Sequence, residues 1–142
     1  MQAIEKLAEA GISVGVNVAP IIPGLTDHEC VQILKAARDA GATCAGYTIL
    51  RLPHGVKNLF HDWLEQHFPD RKNKVLHRIR SMRDGKLNDS EFGSRFSGKG
   101  IFSEQIRKLF NIQTIKLGFN EQRKSLSGAH FHRPEEGQLQ LF

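Results

Sequence analysis

Two stretches of the chain, "EKLAEAGISVGVNVAP" and "LKAARDAGATCAGYTILRLP", share one pattern: the end of an alanine-rich helix, an Ala-Gly stop and an apolar strand. The stops, Gly11 and Gly41, lie thirty residues apart. That is the length of one strand-helix unit joined to the next by a right-handed crossover. The repeat therefore points to a parallel α/β sheet, with strands expected over 12–19 and 44–52. Two strands alone would expose both faces and both edges, so the pattern predicts the end of something larger.

The junction after the first strand, "GVNVAPIIPGLTDHE", can be read residue by residue. Residues 12–19 are rich in Val and Ile and bounded by glycine and proline, which favours a buried strand. Pro20 and Pro23 lack amide hydrogens and are expected to stop further pairing on that side. Gly24 can take the positive φ a turn demands. Thr26 and Glu29 have the spacing of a capping box opening a helix over 27–40.

Beyond Pro53 the periodicity becomes helical throughout. Val56, Leu59, Phe60, Trp63, Leu64 and Phe68 share one face of a helix over 56–67. Asp70 can cap a second helix over 71–83, with Val75, Leu76, Ile79 and Met82 inward and Arg71, Lys72, Lys74, Arg78, Arg80 and Arg83 on its other faces. A third, over 102–117, closes at Gly118 and is expected to pack through Ile106, Leu109, Phe110 and Ile115. The organisation expected is thus a strand-helix portion over 1–53, a helical extension over 54–119 and a polar tail over 120–142.

Charge bears on what the extension meets. The net charge is +5 in 142 residues, and the pI near 9.5 hints at an anionic partner. A charged helix face is usually solvated surface. Here, however, "DGKLNDSEFGSRFSGKG" continues it with Lys86, Arg95 and Lys99 around Phe92 and Phe96. Basic groups neutralise phosphates and aromatic rings stack on bases, which marks Arg71, Lys74, Arg78, Arg80, Arg83, Arg95 and Lys99 as candidate nucleic-acid contacts.

Other chemistries find little support. Cys30 and Cys44 are the two cysteines, and their spacing suits neither a zinc clip nor an iron–sulfur triplet; buried free thiols are the simpler expectation. Seven histidines form no helical metal spacing, although His130 and His132 flank Phe131 at strand spacing. "GSRFSGKG" lacks the Gly-Lys-Ser/Thr ending and preceding strand of a phosphate loop. Asp62, Glu65 and Asp70 lie on a solvated face or at a cap, so paired-carboxylate chemistry is not indicated. No self-sufficient active site stands out. No segment approaches a membrane span, and "MQAIEKLAEAG" reads as an amphipathic helix rather than a signal peptide, so a cytoplasmic location is expected.

The stretches "APIIPGLTDHE", "YTILRLPHGVKNLFHDWLEQHFPDRKNKVLHRIRSMRDGKL" and "DSEFGSRFSGKG" closely resemble the C-terminal part of radical S-adenosylmethionine proteins related to spore photoproduct lyase, the DNA repair photolyase-like family. The resemblance implies the terminal strand-helix units of a partial (β/α)6 TIM-type barrel. It implies a missing N-terminal barrel half whose Cys-x3-Cys-x2-Cys thiolates hold a [4Fe–4S] cluster, absent from this chain. The full-length enzyme would cleave S-adenosylmethionine to a radical that abstracts hydrogen, with a substrate in nucleic acid. Carried over by position, Ile22, Gly24 and Asp27 at the end of one strand and Leu50, Arg51 and Leu52 at the end of the next would lie on the adenine side of S-adenosylmethionine, with Pro20 replacing a family glycine. No catalytic residue of this chain and no metal ligand is implied.

The terminal "QLQLF" resembles the pentapeptide that docks on the bacterial sliding clamp, with Gln138 leading and Leu139, Leu141 and Phe142 as apolar anchors. The same alternation suits a strand folding back on the protein's own edge. A cluster-free module that binds nucleic acid through its basic helices and a clamp through its tail is the alternative to the enzyme fragment.

Overall fold

The computed structural model describes residues 1–121, 127–129 and 131. In chain order the elements are helix α1 (Gln2–Glu9), strand β1 (Gly15–Ile21), a 3-10 turn (Asp27–Glu29) running into helix α2 (Cys30–Asp39), strand β2 (Cys44–Ile49), and helices α3 (Val56–His67), α4 (Pro69–Ser81) and α5 (Gly100–Lys116). β1 and β2 pair in parallel, from Gly15 beside Cys44 to Val18 beside Tyr47 and then, past an irregularity, Ile21 beside Ile49. The fold is mixed α/β, as the thirty-residue repeat predicts. Gly41 ends α2 at φ +97°, and a Cβ there would meet the Ala8 methyl at 2.6 Å, so both backbone and space require glycine.

One face of the sheet is covered and the other is not. Val18, Ile21 and Ile49 are buried with Cys30, Leu34 and Ala37 of α2 and Ile106 and Phe110 of α5, and Val16, Ala45 and Tyr47 pack against them. Alternate residues point the other way. There Gly15, Asn17 and Ala19 are exposed and Cys44, Gly46 and Thr48 half-buried, a surface of small side chains. A second cluster sits beyond the C-terminal ends of the strands, where Leu64 of α3 and Val75, Leu76 and Ile79 of α4 close over Leu25 and Leu52.

The two sheet edges also differ. On the outer edge of β2 the Ala45 amide donates to Asn120 Oδ1 and Asn120 Nδ2 donates to the Ala45 carbonyl, both at 3.0 Å, while the Ile49 amide donates to the Phe96 carbonyl at 2.8 Å. A side-chain amide there does what a neighbouring strand would do. On β1, parallel alternation turns the backbone groups of Gly15, Asn17 and Ala19 away from β2, and among the described residues their amides have no partner.

Several local expectations are corrected. β1 starts three residues later than expected and continues through Pro20, because the missing amide falls in the irregularity between Val18 and Ile21, after which the Leu50 amide donates to the Ile21 carbonyl at 2.9 Å. The capping box does not form. Thr26 Oγ1 instead accepts from the Ile22 amide and Asp27 Oδ2 from the Gly24 amide, both at 2.9 Å, so these side chains tie the turn rather than the helix. Asp70 does not cap α4, because the helix begins one residue earlier, at Pro69, with Phe68 in the cap position, which places Asp70 inside the first turn. Of the apolar face of α3 only Leu64 is buried; Phe60 and Phe68 are half-buried, and Val56, Trp63 and Leu59 are exposed, Leu59 at 70%, because α4 covers only part of that stripe. On α5, Ile106 and Phe110 are buried as expected, but Ile115 is 78% exposed and Leu109 partly so. The buried stripe continues instead through Ser103 and Thr114, whose hydroxyls donate to the carbonyls of Ser97 at 2.7 Å and Asn111 at 3.0 Å.

Candidate functional site

Ligands in parallel α/β folds gather where strands end and helices begin. Here the segments leaving β1 and β2 at their C-terminal ends meet α4 and the 84–99 loop, forming a rim with two parts.

The first part is the turn after β1. Asp27 Oδ2, already holding the Gly24 amide, accepts from Arg78 Nη1 at 3.2 Å, and the Arg78 guanidinium carbon lies 5.0 Å from the centre of the Phe102 ring. Gly24 has φ +85°, and a Cβ there would come within 3.2 Å of Arg78 Cδ and Nη1. The glycine thus admits an arginine from α4 against the turn. Residues assigned by sequence to two different sites, Gly24 and Asp27 to a cofactor and Arg78 to nucleic acid, form one cluster. Beside it a cleft of about 260 Å³ is lined by Pro23, Asp27, His28, Arg78, Phe102, Gln105, Ile106 and Leu109.

The second part follows β2. Arg83, expected on a solvated helix face, is 1% exposed. It lies past the end of α4, where the helical period no longer assigns its direction, and the chain turns it inward. Its Nη2 donates to the Leu50 carbonyl at 2.7 Å and its Nη1 to the Arg95 carbonyl at 3.2 Å. Burial holds the Arg83 pKa below its ordinary value; Asp89 opposes that shift and Arg51 adds to it. Arg51 and Arg95 both lie over the Phe96 ring, at 5.0 and 4.7 Å, and Arg95 also over Phe92 at 5.0 Å. Asp89 accepts from the Glu91 amide at 2.8 Å and from Ser94 Oγ at 2.5 Å, contacts that lower its carboxyl pKa.

The remaining predicted residues divide by environment. Arg71, Lys74 and Arg80 are exposed on α4. Lys99, by contrast, is held between Asp84 and Glu91 at 3.0 Å each, which raises its pKa well above the usual range. Leu52 is fully buried in the rim cluster, whereas Ile22 and Leu50 are half-buried at the strand ends. The thiols do not fit an iron–sulfur cluster: Cys30 is buried in the helix-covered layer, where burial raises its pKa, and Cys44 lies on the opposite face of the sheet. Among the described residues no group of three or more His, Cys, Asp or Glu could hold a metal ion. The tail residues Gln138, Leu139, Leu141 and Phe142, with His130 and His132, lie outside the described residues. No helix among the described residues is long and apolar enough to cross a membrane.

Sequence reasoning missed Asn120, whose role as an edge mimic carries no local signal beyond asparagine's tolerance of its φ of +62°. It also missed the Arg51–Phe96 pairing, which joins residues on separate segments. The chain matches no protein-family model, no curated protein and no solved structure.

Proposed function

We propose that this chain forms the last two strands of a partial (β/α)6 barrel and carries the adenine-side wall of an S-adenosylmethionine site in a radical enzyme of the spore photoproduct lyase-like kind, acting on nucleic acid. The observation that carries the reading is the contrast between the sheet edges. β2 is closed by Asn120 and Phe96, as befits a terminal strand, while the Gly15, Asn17 and Ala19 amides of β1 await a neighbour. Helices cover one face only, as on the outside of a barrel, leaving the small side chains of the other face toward a lumen. A [4Fe–4S] cluster held by the other barrel half would supply the redox chemistry; this chain would supply Ile22 and Leu50 as apolar contacts and the rim as the wall that excludes water.

The test is complementation. The chain is coexpressed with the first four strand-helix units of a member of that family, purified anaerobically and loaded with iron and sulfide. The expected result is a one-to-one complex that releases 5′-deoxyadenosine from S-adenosylmethionine, with neither half active alone. Failure to form a complex, with slow hydrogen exchange at Gly15, Asn17 and Ala19 in the isolated chain, would overturn it.

A second reading, a cluster-free nucleic-acid module, is favoured by the exposure of Arg71, Lys74 and Arg80 on one helix. If it holds, the isolated chain melts in one sharp cooperative transition and binds nucleic acid without the other half.

A further inference from the structure

We propose that Arg51 and Arg95, with the buried Arg83 anchoring the backbone beside them, form a binding site for the phosphate of a nucleotide, with the exposed Phe92 ring as the platform for its base. This goes beyond the cofactor assignment and does not depend on it.

Arg83 is anchored to the carbonyl of Leu50, the residue before Arg51, and to the carbonyl of Arg95, so one guanidinium ties the other two arginines to the same end of β2. Arg51 and Arg95 then share the Phe96 ring. Two guanidinium groups thus lie on one ring and the third on the backbone next to them, and among the described residues none of the three forms an ion pair with a carboxylate. Asp89 acts on Arg83 from beyond ion-pair distance while its oxygens serve Ser94 and the Glu91 amide. Glu91 and Asp84 are drawn to Lys99. Gathered cations without a countercharge repel one another and favour an anion.

A second observation is independent of the first. The Nε atoms of Arg51, Arg83 and Arg95 are all buried and have no hydrogen-bond partner, and Arg83 as a whole is 1% exposed. Buried unpaired N–H groups carry a desolvation penalty that an acceptor removes. A tetrahedral phosphate presents several acceptor oxygens and matches the forked guanidinium better than a point charge does.

The aromatic residues narrow the class. Phe92 is 88% exposed, with the Arg95 guanidinium over its ring. A phenyl ring next to a phosphate-binding arginine suits a base stacked beside its own phosphate. The shared chemistry is a nucleotide phosphate, from a free mononucleotide or from a single strand.

Equilibrium binding is measured on the full chain, alone or assembled with the barrel half where that keeps it folded. The probes are a 5′-mononucleotide, the matching nucleoside, inorganic phosphate and a short single-stranded oligonucleotide. Saturable binding of the nucleotide or the oligonucleotide is expected, with the nucleoside at least tenfold weaker. Arg51→Gln and Arg95→Gln should each weaken binding about tenfold, and Lys35→Gln, on exposed α2 surface, should not. Phe92→Ala should weaken nucleotide binding and leave inorganic phosphate unaffected. An oligonucleotide that binds more tightly than the mononucleotide identifies a strand as the source, and equal affinity a free nucleotide. Equal binding of nucleoside and nucleotide, unchanged affinity in both arginine variants, or no saturable binding by any probe would overturn the proposal. None of these outcomes bears on complementation by the barrel half.

Discussion

The sheet layer and the rim above it are stabilised by different physics. In the sheet layer, β1, β2, α2 and α5 bury aliphatic and aromatic side chains at the periods their elements dictate, and the buried hydroxyls of Ser103 and Thr114 are satisfied within or next to their own helix. The rim has its own apolar cluster between α3 and α4, but the 84–99 segment, which has no regular structure, is fixed by charge and ring contacts: Arg83 on two carbonyls, Arg51 and Arg95 on Phe96, Lys99 between two carboxylates. The difference teaches where function can reside. Among the described residues the buried side-chain polar atoms of the sheet layer are all paired, its unpaired amides being confined to the β1 edge, whereas the arginines of the rim keep side-chain donors in reserve.

The sharpest way to break the contrast is to remove Arg83. Arg83→Met keeps bulk but leaves the Leu50 and Arg95 carbonyls without their donor, and should cost about 3–5 kcal/mol, the range for one partner of a buried charged network. Urea denaturation reads it directly. A loss below about 1 kcal/mol would mean that apolar contacts, not the guanidinium, hold the rim.

Next come the two apolar clusters. Leu34→Ala in the sheet layer and Leu64→Ala in the rim remove fully buried side chains and should each cost about 3 kcal/mol. In the chain assembled with the barrel half, both should shift one and the same denaturation curve, because Met82, in the sheet cluster, lies at the end of the same α4 segment that supplies Ile79 to the rim. Two separate transitions would show that the regions unfold independently.

A smaller effect tests the edge of the sheet. Asn120→Gly keeps the left-handed backbone but removes both bonds to Ala45, and should cost about 1–2 kcal/mol. Hydrogen exchange at the Ala45 amide should accelerate while the inward Gly46 amide stays protected. Unchanged exchange at Ala45 would mean that the edge is closed by something other than the asparagine.

The smallest effect is one of pH, and it belongs to the sheet layer. Burial raises the pKa of the Cys30 thiol above 9.0 and of the Tyr47 hydroxyl above 10.0. Both groups stay neutral longer folded than unfolded, so their contribution is fully present below about pH 9 and is lost as pH rises through the folded values. Cys30→Ala should flatten the start of that alkaline decline, followed by thermal melting from pH 8 to 11. A decline of identical shape in the variant would remove the thiol from the account.

Much of the frame was legible from local pattern. The alanine-rich helix ends, the glycine stops and the Val-Ile runs placed two parallel strands around α2, and the 3.6-residue period placed α3 at Val56–His67. The inward residues of α4 followed from the same period, as Val75, Leu76 and Ile79 show. Where a rule depended on one residue it was less secure. Pro20 did not end β1 because a bulge absorbed it, and Thr26 turned back to Ile22 because the preceding Pro-Gly turn offered a closer donor than the helix.

The candidate site was legible as a composition and not as an arrangement. The sequence by itself determined that arginines and phenylalanines follow the second strand, because residue type and order are all that requires. Only the tertiary structure decided that Arg83 is inside while Arg71 and Arg80 are outside, that Arg51 meets Phe96, and that Asn120 completes the edge at Ala45. The physical reason is range. Backbone periodicity assigns a direction only to residues within a few turns of one another, and it lapses at the end of α4. Contacts between residues dozens of positions apart depend on how whole elements pack, and that packing is what seats Arg83 on two carbonyls and brings Arg51 and Arg95 to one ring.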